Sequence, residues 1–353
     1  MSAERDDEKF MRAALREASR GIGLTSPNPA VGAVIVRGGR IVARGWHHRA
    51  GQPHAEIEAL RALEAGAAGK SRARGATIYV TLEPCSTHGR TPPCVDAIIG
   101  AGFRRVVVGA VDPNPSHAGR GLALLREAGI EVTSGVLEVE CRELNRAFNK
   151  WIVTGMPWVV AKAGMSLDGR LTRPPGEGQW LTSEESRLDA MRLRAEADAI
   201  VIGAGTLRAD NPRLSLRGIE GFEDKAQPWR VVLTRGGGPL PETAHLFTDR
   251  YCDRTLVYAR KPLRQVLKDL GKRGVMSVLV EGGMQILGEA FDRKLVDEVC
   301  FYVAPILCGG PVVAVGGRGV GASKEAVSIV DPEYVKIGGD LRLRGRVGYQ
   351  TSG

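Results

Sequence analysis

The fold of the first half of this chain is decided by three motifs: Pro53-His54-Ala55-Glu56, Thr81-Leu82-Glu83-Pro84-Cys85 and Thr91-Pro92-Pro93-Cys94. The first motif opens an apolar run at helical spacing, and the second directly follows a β-rich run over residues 76–82. The third motif opens another helix, since proline is favoured near a helix start. Together the motifs predict an α/β unit in which strand ends meet helix starts, which is where open α/β sheets bind ligands.

The residue types in these motifs indicate a metal site that activates water. One imidazole, His54, and two thiols, Cys85 and Cys94, suit a tetrahedral zinc ion whose fourth position is open, as in catalytic rather than structural sites. Glu56 follows so soon after His54 that both side chains cannot comfortably bind the same ion. It is near enough to carry protons, a role that contributes about 10²- to 10⁴-fold to a rate. We therefore predict one zinc ion per chain, with Glu56 as the catalytic proton carrier.

A less specific interpretation of the same motifs is a zinc-binding protein without catalysis. Short cysteine pairs are often structural zinc or redox sites. Here the spacer between Cys85 and Cys94, residues 86–93, is longer than that of a Cys-x-x-Cys pair. A structural site would also leave Glu56 without a role and would usually need a fourth protein ligand.

The motifs resemble those of zinc-dependent nucleobase deaminases, in which His-x-Glu precedes Pro-Cys and the Glu is not a ligand. The string from Glu83 to Cys94, with Asp112-Pro113-Asn114-Pro115 after it, is similar to the deaminase half of the bifunctional riboflavin-biosynthesis deaminase/reductase. This resemblance implies a cytidine-deaminase-like, three-layer α/β/α domain. It also implies that the pyrimidine substrate is contacted by Asn28, His47, Arg90 and Asn114.

Strands and helices alternate along the first half of the chain. An amphipathic helix over residues 8–19 is followed by strand-like runs at 30–36, 40–45, 76–82 and 106–111, with helical segments after the third and fourth runs. This alternation predicts a largely parallel sheet layered by helices.

Length and composition indicate two ordinary globular domains. The chain has 353 residues, of which 43% are hydrophobic and 25% charged. A polar helical segment at 137–149 leads into a second β-rich unit, so we place the domains at residues 1–148 and 149–353.

Charge and cysteine usage bound the location and the partners. The first residues are charged, and no apolar run approaches the ~18 residues of a membrane span. The six cysteines are scattered and do not resemble a disulfide framework. We therefore expect a cytoplasmic protein. The net charge of +9 comes from dispersed Lys and Arg residues with little aromatic interleaving. This pattern fits a small phosphorylated substrate and a phosphorylated cofactor rather than nucleic acid or a membrane. We also expect a homo-oligomer.

The second half carries its own motifs. Lys162-Ala163-Gly164-Met165-Ser166-Leu167-Asp168-Gly169-Arg170 and Gly176-Glu177-Gly178-Gln179-Trp180-Leu181-Thr182 look like the reductase half of the same bifunctional family, whose domain resembles dihydrofolate reductase. A predicted strand at 278–280 runs into Glu281-Gly282-Gly283, and glycines at such a turn let backbone N–H groups approach phosphate. A tight turn with positive φ is the alternative explanation of these glycines.

By the same resemblance, two sets of residues line the reductase site. Those that line the NADPH cofactor are Gly164, Trp180, Thr206, Asp210, Gly283, Met284, Gln285, Ile286, Leu287, Gly288 and Glu289. Those that line the substrate are Gly178, Arg194, Leu214, Arg217 and Glu281, with Lys162 as a catalytic candidate that polarises the ribose end. The family often has serine where this chain has Gly178, so only a backbone contact is left there.

The resemblance implies two successive reactions. The first domain would hydrolytically deaminate 2,5-diamino-6-ribosylamino-4(3H)-pyrimidinone 5′-phosphate, and the second would reduce the ribosyl group with NADPH to give 5-amino-6-ribitylamino-uracil 5′-phosphate. The alternative is a zinc deaminase of nucleic acid with an accessory binding domain. That alternative predicts a basic stripe with stacking aromatic residues, whereas only 5% of residues are aromatic.

Overall fold

The chain folds into two compact units, Met1–Gly155 and Met156–Gly353. The computed structural model describes residues 2–66, 73–87, 92–115, 117–171, 180–236 and 238–350. The division lies beyond the boundary at 148/149 that the sequence suggested, because a helix over Arg146–Thr154 runs through that point and ends at Gly155 in the left-handed conformation (φ 68°). Among the helices described, none is both long enough and apolar enough to span a bilayer.

The first unit is built from one sheet and its covering helices. In chain order its elements are α1 (Ser2–Ser19), β1 (Gly32–Arg37), β2 (Arg40–Trp46), α2 (Ala55–Ala65), β3 (Thr77–Leu82), α3 (Cys94–Ala101), β4 (Arg105–Ala110), α4 (Arg120–Glu127), β5 (Glu131–Ser134), α5 (Glu138–Leu144) and α6 (Arg146–Thr154). The strand order is β2-β1-β3-β4-β5.

This first sheet is mixed, so the prediction of a largely parallel sheet was wrong for half of its strand pairs. β1 runs antiparallel to both β2 and β3, whereas β3-β4 and β4-β5 are parallel. The reason is local: Gly38 and Gly39, at φ 57° and 72°, form a two-residue turn, and so short a turn can join only antiparallel strands.

Helices cover both faces of this sheet. On one face Met11 of α1 packs with Val34 and Val107, and on the other Ile98 of α3 packs with Ile35. The predicted three-layer α/β/α arrangement is therefore confirmed. All six residues of β3, the strand that leads to Cys85, are buried.

The second unit contains a larger sheet. Its elements are β6 (Trp158–Ser166), α7 (Glu184–Glu196), β7 (Ala199–Gly203), α8 (Ala204–Asp210), β8 (Trp229–Thr234), α9 (His245–Thr248), β9 (Thr255–Ala259), α10 (Leu263–Lys272), β10 (Ser277–Val280), α11 (Met284–Asp292), β11 (Glu298–Ala304), β12 (Ser328–Ile337) and β13 (Asp340–Gly348). The strand order is β12-β13-β11-β6-β10-β7-β8-β9.

The strands from β11 to β9 in this order are all parallel, and only β12 and β13 are antiparallel additions at one edge. Two apolar clusters, one on each face, pack the sheet against its helices. The carboxyl ends of β6, β10, β7, β8 and β9 consequently meet at one edge, where parallel α/β sheets bind ligands.

Candidate functional site

Three potential metal ligands converge at the carboxyl end of β3. His54 directly precedes α2, Cys85 follows β3, and Cys94 is the first residue of α3. Their ligand atoms all lie within 4.8 Å of one another, and His54 Nδ1 is 3.5 Å from Cys85 Sγ and 3.3 Å from Cys94 Sγ. Neighbouring ligand atoms of a tetrahedral zinc ion are about 3.5 Å apart. The three side chains therefore fit zinc with one position left for a non-protein ligand.

The surroundings of Cys85 favour an ionised sulfur, whereas the hydrogen bond with Cys85 and burial raise the pKa of the Cys94 thiol. The pKa of Cys85 is lowered by its hydrogen bond with the Cys94 thiol and, in spite of burial, by the contacts with His54 and the Cys94 backbone. The Cys94 backbone N–H donates to Cys85 Sγ at 3.3 Å. Because zinc binds thiolates rather than thiols, this environment prepares the Cys85 sulfur for metal binding.

Glu56 lies beside the cluster without belonging to it. It is in the first turn of α2, its side chain is only 3% exposed, and the cluster of converging ligand atoms among the described residues does not include it. Burial raises the pKa of Glu56 to about 7, although the charge of His54 opposes that shift. Its carboxyl group can therefore take up and release a proton near neutral pH.

His47 and Asn28 form a hydrogen-bonded pair near the cluster. His47 Nδ1 lies 3.0 Å from the Pro53 carbonyl, which can only accept, so this nitrogen carries the proton. Nε2 then accepts from Asn28 Nδ2 at 3.0 Å, and burial lowers the pKa of His47, so the ring stays neutral. With the amide nitrogen engaged in this way, Asn28 Oδ1 is left as an acceptor.

The sequence predicted His47 as a substrate contact, and this stays a prediction. His47 is 2% exposed, its ring lies 5.2 Å from that of His54, and both of its nitrogens already have partners. This geometry orients the Asn28 side chain. Asn114 lies in the segment after β4, next to the end of β3. Arg90 lies outside the described residues.

The second unit contains a cavity of about 2100 Å³ at the carboxyl edge of its parallel strands. Most of the predicted reductase residues line it together: Lys162, Gly164, Trp180, Arg194, Thr206, Asp210, Leu214, Arg217, Glu281, Gly283, Met284, Gln285, Ile286, Leu287 and Glu289. The side chain of Leu214 is buried at 1% exposure, so the backbone is what it can offer a ligand. Gly178 lies outside the described residues.

Gly288 is the exception among the predicted cofactor residues that are described. A Cβ atom at Gly288 would lie 2.4 Å from the backbone nitrogen of Gly317, so this glycine lets residues 316 and 317 pack onto α11. Gly288 therefore contributes close packing of α11 against Gly317, which itself lines the cavity, and its contact with the cofactor stays a prediction. The glycine cluster at 316–321, which had no predicted role, supplies that packing contact.

Glu281 and Lys162 lie side by side in the cavity lining. β6 and β10 are parallel neighbours with Val280 opposite Ala161, so Glu281 comes next to Lys162. Arg194 of α7 binds the Glu281 carboxylate through two parallel bonds of 2.5 and 2.7 Å. Burial opposes ionisation of Glu281, but the charges of Arg194 and Lys162 outweigh it and lower its pKa to about 2. Glu281 is thus an anion that cannot donate a proton at neutral pH.

Several arginines in the cavity were not predicted. Arg194 and Arg213 both lie near Arg217, and burial together with the charges of these two residues lowers the pKa of Arg217. Arg235 and Arg260 line the far end, directly after β8 and β9. Arg235 and Arg260 could have been predicted from the sequence, because each is a basic residue directly after a predicted parallel strand.

Both units are similar to known protein families. Residues 4–110 match the model of the cytidine and deoxycytidylate deaminase zinc-binding region, and residues 157–341 match the RibD C-terminal domain. The riboflavin biosynthesis protein RibD of Bacillus amyloliquefaciens is 40% identical over 363 aligned residues, which cover 96% of this chain and 95% of the relative.

Solved structures agree with this likeness over the whole chain. Acinetobacter baumannii RibD matches with a TM-score of 0.88 and 37% identity, covering 98% of this chain and 99% of the other. A Thermotoga maritima diaminohydroxyphosphoribosylaminopyrimidine deaminase/5-amino-6-(5-phosphoribosylamino)uracil reductase matches with a TM-score of 0.86 and 32% identity, again covering 98% and 99%. Since both units are included, a nucleic-acid deaminase with an unrelated second domain is not favoured. The chain belongs to the RibD family, the bifunctional deaminases and reductases of riboflavin biosynthesis.

Proposed function

We propose that the first unit deaminates 2,5-diamino-6-ribosylamino-4(3H)-pyrimidinone 5′-phosphate and that the second reduces the product with NADPH to 5-amino-6-ribitylamino-uracil 5′-phosphate. The observation that carries the deaminase assignment is the buried, protonatable Glu56 beside the converging His54, Cys85 and Cys94. The one cluster of three protein ligands among the described residues supports one zinc ion per chain. Thiols that must stay reduced support a cytoplasmic location. We also propose that the chain forms a homo-oligomer.

In the deaminase step, proton transfers fall to Glu56. Zinc, when bound, supplies the Lewis acid that makes water nucleophilic at neutral pH. The Glu56 carboxylate takes a proton as water adds to the ring carbon, and then delivers it to the amino group, which leaves as ammonia. The Asn28 amide, whose nitrogen donates to the neutral His47, accepts a hydrogen bond from the pyrimidine through Oδ1.

In the reductase step, the Lys162 ammonium is the acid. NADPH, when bound, supplies the hydride that reduces C1′ of the opened ribosyl group. Glu281 is ionised and held by Arg194, so it accepts hydrogen bonds and orients the sugar, whereas Lys162 provides the proton for the developing charge. Arg213 and Arg217 bring positive charge that suits the 5′-phosphate of the substrate.

A direct assay tests this assignment. The purified chain should release ammonia from the diaminopyrimidinone nucleotide without NADPH and should oxidise NADPH only once deaminated product has formed. Ammonia release without later NADPH oxidation would remove the reductase part of the proposal, and NADPH oxidation by the original substrate would reverse the order of the steps.

The arginines at the far end of the cavity support NADPH rather than NADH. Strands β10, β7, β8 and β9 follow one another, so the ends of β8 and β9 lie about 10 to 14 Å from Glu281 at ordinary strand spacing. A dinucleotide whose nicotinamide lies near Lys162 and Glu281 extends its adenosine half toward Arg235 and Arg260. There an additional 2′-phosphate finds guanidinium groups.

We therefore expect Arg260→Ala and Arg235→Ala each to lower kcat/KM for NADPH by about tenfold or more, since a charge-assisted hydrogen bond is lost. The value for NADH should change little, so the ratio of the two values measures the effect. Arg264→Ala, at an exposed position of α10 outside the cavity lining, is the matched control. An equal loss with both cofactors would mean that these arginines do not recognise the 2′-phosphate.

A further inference from the structure

Glu83 connects the end of β3 with the segment that follows β4. Its side chain is only 5% exposed. One carboxylate oxygen, Oε2, accepts from the backbone N–H groups of Asp112 at 3.2 Å and Gly119 at 2.9 Å, and Oε1 accepts from Gly121 at 2.8 Å. A single carboxylate therefore holds both ends of residues 112–121.

That segment is folded around Asn114. The Asn114 N–H donates to Asp112 Oδ1 at 2.8 Å, and the Asn114 carbonyl accepts from the N–H groups of His117 at 2.9 Å and Ala118 at 3.1 Å. Because β3 and β4 are parallel neighbours with Leu82 opposite Ala110, the segment begins beside the strand end that leads to Cys85. A displacement of residues 112–121 would move Asn114 relative to the metal ligands.

The start of α4 depends on the same contact. Gly119 is its N-cap residue, and the helix has no side-chain cap of its own, so Glu83 supplies the acceptor from a distant part of the chain. A Cβ atom at Gly121 would lie 2.4 Å from the Pro84 carbonyl oxygen. Only glycine lets the helix start approach Pro84 and Cys85 so closely.

We propose that Glu83 is a positioning residue of the deaminase, which fixes the Asn114 segment against the strand end that carries Cys85 and thereby sets the affinity for the pyrimidine nucleotide. The inference rests on the proposed function, from which the role of Asn114 comes. A segment that has the competent conformation in only a tenth of the molecules weakens the apparent affinity about tenfold. Turnover of the bound complex is then unchanged, because binding selects the competent conformation.

The test is Glu83→Gln, which keeps the shape but turns an amide N–H₂ toward backbone donors. We expect KM for the pyrimidine nucleotide in ammonia release to rise about tenfold, with kcat changed by less than about threefold and zinc content unchanged. Gly121→Ala, which pushes the helix start away from Pro84 without altering charge, should raise KM in the same way. If Glu83→Gln does not fold, the KM of Gly121→Ala tests the positioning role in its place.

The matched control is Asp7→Asn. Asp7 is also a buried carboxylate of the first unit, but it accepts from Tyr79 and Arg105 at 2.8 Å on the α1 face of the sheet, opposite to α4. This change should lower thermal stability and leave KM unchanged. Ammonia release by the unmodified chain tests the proposed function separately. The positioning role is overturned if an active variant at Glu83 or Gly121 has an unchanged KM. It is also overturned if such a variant loses zinc or kcat and shows no change in KM. Neither result affects the proposed deaminase function.

Discussion

Replacing Glu56 by glutamine should lower the rate of ammonia release by about 10²- to 10⁴-fold while zinc stays bound. Glutamine has the same size but no titratable proton, and the buried carboxyl group of Glu56 is the one whose pKa, at about 7, suits transfer in both directions. Zinc content by elemental analysis and ammonia release under saturating substrate are the two measurements. NADPH oxidation with deaminated substrate should be unaffected.

Two further variants serve as controls for Glu56→Gln. Glu58→Gln changes a neighbouring carboxylate of the same helix turn, one that pairs with Arg61 at 3.1 Å, and should leave deamination intact. Cys85→Ser should remove zinc and deamination together. If Glu56→Gln lost the metal, Glu56 would be a ligand, and if Cys85→Ser kept full activity, the assignment of the metal site would be wrong.

Replacing Lys162 by alanine should lower the rate of NADPH oxidation by about 10²-fold or more, because the step loses its proton donor and its positive charge. Glu281→Ala should have an effect of similar size, since it removes the group that orients the sugar and leaves the Arg194 guanidinium buried without its partner. The measurement is single-turnover NADPH oxidation with the deaminated nucleotide. The melting temperature reports whether each variant is folded, and unchanged zinc content and ammonia release show that the first unit is unaffected.

Arg194→Lys separates positioning of Glu281 from mere charge. Lysine keeps the positive charge but cannot form the two parallel bonds to Glu281, so the rate of NADPH oxidation should fall even though the electrostatic field is similar.

The control for the loss of a lysine in Lys162→Ala is Lys272→Ala, at an exposed position at the end of α10. Normal NADPH oxidation by both Lys162→Ala and Glu281→Ala would remove the proposed acid and its partner.

The sequence predicted best what is local in the chain. His54, Glu56, Cys85 and Cys94 lie in short motifs at helix starts and after a strand, so residue type and spacing were enough to group them. The layered α/β arrangement followed from the alternation of strands and helices. The antiparallel pairing of β1 was missed because the parallel expectation was applied past the Gly38-Gly39 turn, which itself signals a hairpin.

What could not be predicted depends on contacts between distant residues. Arg194 and Glu281 are 87 positions apart, and no local pattern says that their side chains bind each other rather than a ligand. The burial of His47 and the packing of Gly288 onto residues 316 and 317 are of the same kind, since each depends on which neighbour the fold supplies. A family motif identifies such positions but does not distinguish contact with a ligand from support of another residue.

The bidentate pair of Arg194 and Glu281 also limits how this protein can change over generations. Loss of either partner leaves an uncompensated charge in the interior, at a cost of about 3 to 5 kcal/mol, a large share of the stability of an ordinary domain. Single replacements at either position therefore pass through a destabilised ancestor, and the more accessible route exchanges both residues together. Comparison of many descendants should accordingly show these two positions varying in concert, even where the rest of the cavity drifts independently.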